Sequence, residues 1–208
     1  MNLFNLDNPI INGLSRVCDI MRLNILWLIC SLPIVTIGAS TTALYYCMLK
    51  INRDSDSGIL AMFFKSFRQN LKQGCILTIV FFLSGLFLYV DYQACAIIDG
   101  ILGIVIRVVI DILLIVWGIM ISYAFPMLAQ FDNSIKNILK NSLLLGIMHI
   151  NKTIPVFLVN AIPVMLFWML PEVFILLIPL FVVFGVSLMA LINSRILLKV
   201  FEQYLHRT

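Results

Sequence analysis

The sequence predicts an all-α fold, a polytopic helical membrane bundle, and three observations carry that prediction. Hydrophobic residues fill 62% of the 208 positions and charged residues 12%, where soluble domains run roughly 45–50% and about 25%. Mean hydropathy is +1.07. Four tracts, about Cys75 to Val90, Ile101 to Phe125, Thr153 to Leu170 and Val173 to Ile192, each hold sixteen or more mostly apolar residues, close to the ~20 that a spanning helix uses. Closed β-barrels, the other spanning solution, need short alternating strands instead of long apolar runs. No stretch resembles a soluble domain or an interdomain linker, so residues 1–208 read as a single transmembrane domain.

Asp7-Asn8-Pro9 reads as an N-cap followed by a first-turn proline, so a helix is expected to start near Pro9. The N-terminus lacks a basic region followed by an apolar run and a cleavage site, and is not read as a cleaved signal peptide. On the first helix Asn12, Arg16, Asp19 and Arg22 recur at three- to four-residue spacing and form a polar stripe. The apolar region from Leu23 to Leu49 carries Pro33, which removes a backbone donor and disfavours helix in the residue before it. A break is expected near Ser31-Leu32-Pro33. The N-terminal piece is then either an interfacial helix or the first arm of a helical hairpin that turns at Pro33 and ends near Lys50.

Basic residues set the orientation. With the four clear tracts fixed, eleven lysines and arginines fall on one face, in the connections from Lys50 to Lys72 and Lys136 to Lys152 and in the tail from Arg195. The opposite connections, Asp91 to Gly100 and Pro171-Glu172, hold none. Positive-inside bias makes the basic face, with the C-terminus, cytoplasmic. A hairpin at Pro33 keeps Arg16 and Arg22 on that face as well, and is favoured over one long span.

Two cytoplasmic amphipathic helices are expected. After a hydrophilic tip, Asn52 to Gly58, the segment Ile59 to Lys72 clusters Phe63, Phe64, Phe67 and Leu71 at helical spacing, with Lys65, Arg68, Gln69 and Lys72 on the rest of the wheel. It reads as a membrane-surface anchor or as a docking helix in which Phe64, Phe67 and Asn70 meet a cytoplasmic partner. The second runs from Phe131 to Leu144. Lys65-x-Phe67-x-x-Asn70 and Lys136-x-Ile138-x-x-Asn141 superimpose at an offset of 71 residues, which suggests duplication of an amphipathic helix plus a membrane hairpin.

Arg107 and Asp111, four residues apart in the second clear tract, share a helix face. An unpaired aspartate within the bilayer costs about 2.5–3.5 kcal/mol on insertion scales. The pair is therefore expected as a structural ion pair facing the bundle, or as the lining of an ion or substrate route. Pro163 and Pro179 fall inside apolar tracts and should kink them.

Several chemistries lack their residues. There is no G-x-x-x-x-G-K-[ST], G-x-S-x-G or H-E-x-x-H, and His149 and His206 are isolated. Five scattered cysteines form no C-x-x-C pair and read as small hydrophobes. No cofactor, metal, nucleic-acid partner or enzymatic activity is expected.

Leu23-Asn24-Ile25-Leu26-Trp27-Leu28, the stretch from Ser31 to Tyr45 with its Pro33, Thr36 and Gly38 turn, and Phe63 to Gln73 together resemble the YesL-like integral membrane family of bacteria, a domain of unknown function. That resemblance implies the cytoplasmic membrane and an association with carbohydrate uptake beside ABC permeases; it supplies no catalytic residues. The expected function is an accessory or regulatory subunit of a carbohydrate ABC importer, contacting permease or ATPase subunits and the lipid bilayer. The rival is a small transporter or channel, oligomeric, with Arg107 and Asp111 along the route.

Overall fold

A computed structural model describes residues 9–53, 58–95, 97–98 and 100–205. The expected Asp7-Asn8 cap, most of the tip after Arg53, His206 and Arg207 lie outside the described residues, as does the side chain of Asn12. The described chain is helical throughout: α1 (Pro9–Cys30), a 3-10 turn (Ile34–Thr36), α2 (Ile37–Ile51), α3 (Ile59–Cys95), α4 (Gly100–Gln130), α5 (Ile135–Met148), α6 (Ile150–Met169), α7 (Pro171–Leu180), a π-helical turn (Phe181–Gly185) and α8 (Val186–Leu205). Five segments are long and apolar enough to cross a membrane: Ile34–Ile51, Ile59–Cys95, Gly100–Gln130, Ile150–Met169 and Pro171–Tyr204. The protein is an all-α helical membrane bundle.

The break expected at Pro33 is present and joins two antiparallel helices, of which only the second, within Ile34–Ile51, is long and apolar enough to cross a membrane. α1 ends at Cys30 because Pro33 cannot supply the next helical donor. Thr36 Oγ1 donates to the carbonyls of Cys30 and Pro33, each at 2.7 Å, and so satisfies groups that the broken helix leaves open. Trp27 Nε1 donates to Thr41 Oγ1 at 3.0 Å and Ser40 Oγ donates to Trp27 O at 3.0 Å. Residue 27 thus faces residues 40 and 41, and the arms run antiparallel.

One boundary differs from the sequence expectation. The amphipathic segment Ile59 to Lys72 and the tract beginning at Cys75 are a single helix, α3, of 37 residues. Gln73 and Gly74 are all that separate them, and a helical glycine costs only about 1 kcal/mol against alanine, far less than neighbouring packing supplies. That glycine sits at the close approach of α2 and α3. A Cβ on Gly74 would lie 2.6 Å from the backbone of Ala39, and one on Gly38 would lie 2.5 Å from Gly74 O. Small residues at such a crossing let helix backbones touch. Gly38 N–H donates to Thr78 Oγ1 at 2.9 Å, and that hydroxyl donates to Gly74 O at 2.9 Å. α2 therefore packs along the first half of α3 and leaves the second half to α4, through Trp117 Nε1 to Ser84 Oγ at 3.0 Å.

α5 repeats the arrangement loosely. Ser134 caps it by accepting from Asn137 N–H, Ile138 is fully buried, and Gly146 lies against the Ile119 side chain of α4, where Gly74 lies against the backbone of Ala39. Unlike α3, this helix does not run on into the next span, but breaks at His149 before α6 begins. The main core lies where α2, α3 and α4 meet, around Leu44, Met48, Phe63, Leu77 and Phe125. A second cluster joins Tyr123, Val156, Leu197 and Phe201.

The last span is not one regular α-helix. Pro179 and the π turn at Phe181–Gly185 interrupt the α-helical ladder, as the proline in that tract predicts. Asn24 of α1, fully buried, fills the gap. Its Nδ2 donates to Val182 O at 2.6 Å and Phe181 O at 3.4 Å, and its Oδ1 accepts from Ser187 N–H at 2.8 Å.

The close α2–α3 crossing gives a direct expectation. Gly74→Val should cost about 2–3 kcal/mol of stability through overpacking, while Gly13→Ala, with no atom within 4 Å of the new Cβ, should lose nothing. Thermal unfolding in a mild detergent checks both.

Candidate functional site

The three groups of residues singled out from the sequence occupy three different places. The turn residues are held inside the fold: Gly38 is buried, Thr36 is half-buried and bonded back to α1, and Pro33 is exposed at the apex. Exposed Leu32, Ile34 and Val35 surround that apex. Their arrangement is structural, and it joins α1, α2 and α3.

The docking group lies on the first half of α3 and is split between two faces. Phe63 is fully buried against α2, with Phe67 stacked on it at 6.3 Å between ring centroids. Phe67 is half-buried in the main core. Asn70 turns back on its own helix, donating from Nδ2 to Ser66 O at 3.0 Å. Phe64 points away, 42% exposed, among exposed Lys65 and Arg68. Part of the apolar stripe, Phe63 and Phe67, is thus covered by the chain's own α2, while Phe64 faces outward with exposed Leu60 and Leu71 on the same helix face, beside Lys65 and Arg68.

Arg107 and Asp111 do not form the expected ion pair among the described residues. Both are exposed. The Arg107 guanidinium lies over the Tyr92 ring at 5.1 Å from its centroid, an attraction worth about 0.5–1 kcal/mol at exposed sites. Both residues line an open cleft of about 510 Å³ beside Cys95 and Gly103. Helix length explains the difference. Gln73 Nε2 donates to Asn133 O at 3.1 Å, which sets the basic ends of α3 and α4 at one level. Nineteen residues on from Gln73 is Tyr92, and nineteen back from Gln130 is Asp111. At ~1.5 Å per residue these stand about 29 Å away, the thickness of a hydrocarbon core. At that rise the 31 residues of α4 run about 46 Å, longer than a hydrocarbon core is thick.

A fourth place was not visible from residue spacing. Four neutral polar side chains from four helices meet inside the bundle. Asn193 Nδ2 donates to Tyr45 Oη at 3.3 Å and to Asn160 Oδ1 at 2.8 Å; Asn160 Nδ2 donates to Ser122 Oγ at 3.0 Å; Ser122 Oγ donates to Gly118 O at 2.7 Å. Asn193 is fully buried, and its Oδ1 has no partner among the described residues. Tyr45, Ser122 and Asn160 also line a cavity of about 530 Å³ whose other walls include Thr41, Trp117 and Phe157. The signal was present as isolated amides in apolar surroundings, Val159-Asn160-Ala161 and Ile192-Asn193-Ser194, which must find partners in lipid. A lone asparagine does not say which helix will provide them.

No Asp, Glu, Lys or Arg is buried among the described residues. The interior polar groups are hydroxyls and amides paired chiefly with one another. They give cohesion and a cavity with a polar wall, and among the described residues no group of three or more His, Cys, Asp or Glu could hold a metal. Tyr123 Oη and Thr153 Oγ1, 2.8 Å apart, tie α4 to α6 in the same manner.

Asn160→Leu should cost about 1 kcal/mol, as interhelical hydrogen bonds in membranes do. Combined with Asn193→Leu it should cost less than the sum of the two, since they share a bond. Chemical unfolding of the four members of this cycle tests the coupling.

Comparison with known proteins follows the same geography. A family model described as a protein of unknown function, DUF624, matches residues 20–92. That stretch runs from Asn24 through the Pro33 turn and α2 to the far end of α3, and stops short of Arg107 and Asp111. The uncharacterized protein YesL of Bacillus subtilis (strain 168) is 28% identical over 143 residues, 65% of this chain and 67% of that protein. No solved structure matches the chain.

Proposed function

For a chain that these matches support as a YesL-like family member, we propose the role of a non-enzymatic accessory or regulatory subunit in the bacterial cytoplasmic membrane, working with a carbohydrate ABC importer. The carbohydrate association rests on the family resemblance. The observation that carries the accessory role is the outward face of α3, where Phe64 stands among Lys65 and Arg68 on a helix anchored by Phe63 and Phe67. An aromatic side chain on a rigid base, ringed by cations, is the composition of an interaction anchor. By the distribution of basic residues this face and the C-terminus are cytoplasmic, so the partner there is the importer's ATPase or the cytoplasmic loops of its permease.

The interior supports the same reading. Its polar side chains bind one another across helices, whereas ion and proton routes place ionisable residues inside the bundle. Arg107 and Asp111, the residues that would have lined a route, are exposed at the other end of α3 and α4.

Co-purification from native membranes in mild detergent tests the proposal: permease or ATPase subunits should accompany the protein, and their absence overturns it. Phe64→Asp should weaken that association about tenfold or more, the effect of losing an interface anchor, and leave the melting temperature unchanged. Phe67→Asp should instead lower stability by about 3 kcal/mol or more, since it puts a charge into the α2–α3 core. A Phe64→Asp protein that retains its partners at wild-type level rejects this face as the docking surface.

A further inference from the structure

A second feature of the basic end lies apart from the α3 face. α1, α2, α6 and α8 leave a cleft of about 490 Å³ between them, lined by Arg16, Lys152, Arg195 and Lys199 and, among the described residues, by one carboxylate, Glu202. The four cations come from three helices that are far apart in sequence, so the tertiary fold creates the concentration of charge. Arg195 is positioned: its Nε donates to Asn52 Oδ1 at 3.2 Å, and Asn52 in turn donates from Nδ2 to Ser194 Oγ at 2.7 Å. That pair of bonds fixes the guanidinium plane through one edge. The Nη groups are left for other partners among the described residues, and their fork matches the oxygens of a phosphate.

We propose that this cleft binds the phosphate headgroup of an anionic phospholipid. The charge calls for a phosphate. Lipid, as against free phosphate, follows from the rest of the lining: Ile51, Ile196 and Leu198 share the cleft with the cations, and a surface part apolar and part cationic suits an amphiphile. Basic pockets between membrane helices bind lipid headgroups on these terms. The site is independent of the importer proposal, because it needs neither Phe64 nor a partner protein.

The test is lipid retention by the full-length protein purified in mild detergent, read by native mass spectrometry after addition of phosphatidylglycerol or phosphatidylcholine. Wild type should retain phosphatidylglycerol preferentially. Lys152→Gln combined with Lys199→Gln should lower that retention roughly thirtyfold, the effect of two surface cations near an anionic lipid, at an unchanged melting temperature. Arg195→Lys, which keeps the charge and removes the fork, should lower it by a smaller factor. Equal retention of the two lipids, or wild-type retention by the double variant, overturns the proposal. So does displacement of phosphatidylglycerol by millimolar inorganic phosphate, which would assign the cleft to the free ion. Should the double variant not fold, Lys199→Gln alone is expected to show about a fivefold loss, and no loss there is equally decisive.

Discussion

A π-helical turn in a membrane span leaves backbone groups without their ordinary partners, and in lipid no water replaces them. The turn at Phe181–Gly185 meets that constraint with one side chain from the other end of the chain. Asn24 gives its two amide functions to Val182 O and Ser187 N–H, so the interruption in the last span and the position of α1 are the same event. Much of the remaining packing depends on it. With α1 fixed, Trp27 reaches Thr41, the Pro33 turn is set, and α2 is held with Gly38 against Gly74 and Thr78 of α3.

From this contact outward the protein is held by neutral polar groups and by small residues at helix crossings. Both devices suit a medium in which apolar burial gives no preference for helix over lipid. Charged side chains are kept to the ends and outer faces. The basic end carries the α3 face and the cleft around Arg195, while the far end carries Arg107 over Tyr92. Division of labour between a cohesive neutral interior and charged ends suits a helical bundle in lipid.

How much of this was legible in the sequence depended on the range of the interaction. Apolar run length and proline chemistry are local, so the spans, the break at Pro33 and the interruption in the last span could be read directly. The continuity of α3 was missed because Gly74, with polar Gln73 before it, looks like a boundary, yet α2 packs against that glycine. The Arg107–Asp111 pair was expected because spacing on one helix permits it. Depth decided otherwise, since α4 is longer than a bilayer is thick. Asn24, Asn160 and Asn193 each read as an isolated amide, and only the tertiary fold shows that their partners lie 157 residues away for Asn24 to Phe181 O and 33 for Asn193 to Asn160. Phe64 and Phe67 are near neighbours on one helix, and the position of α2 sends one outward and the other into the core.

Asn24 joins the two ends of the fold. Replacing it with leucine keeps the branched four-atom shape of the side chain and removes both amide functions, leaving Val182 O and Ser187 N–H unpaired in an apolar setting. Equilibrium unfolding of Asn24→Leu in mild detergent should show a loss of about 2 kcal/mol relative to wild type, with faster proteolysis at Arg22 as α1 loosens. A variant as stable as wild type, with Arg22 equally protected, would contradict the claim that this side chain joins the two ends of the fold.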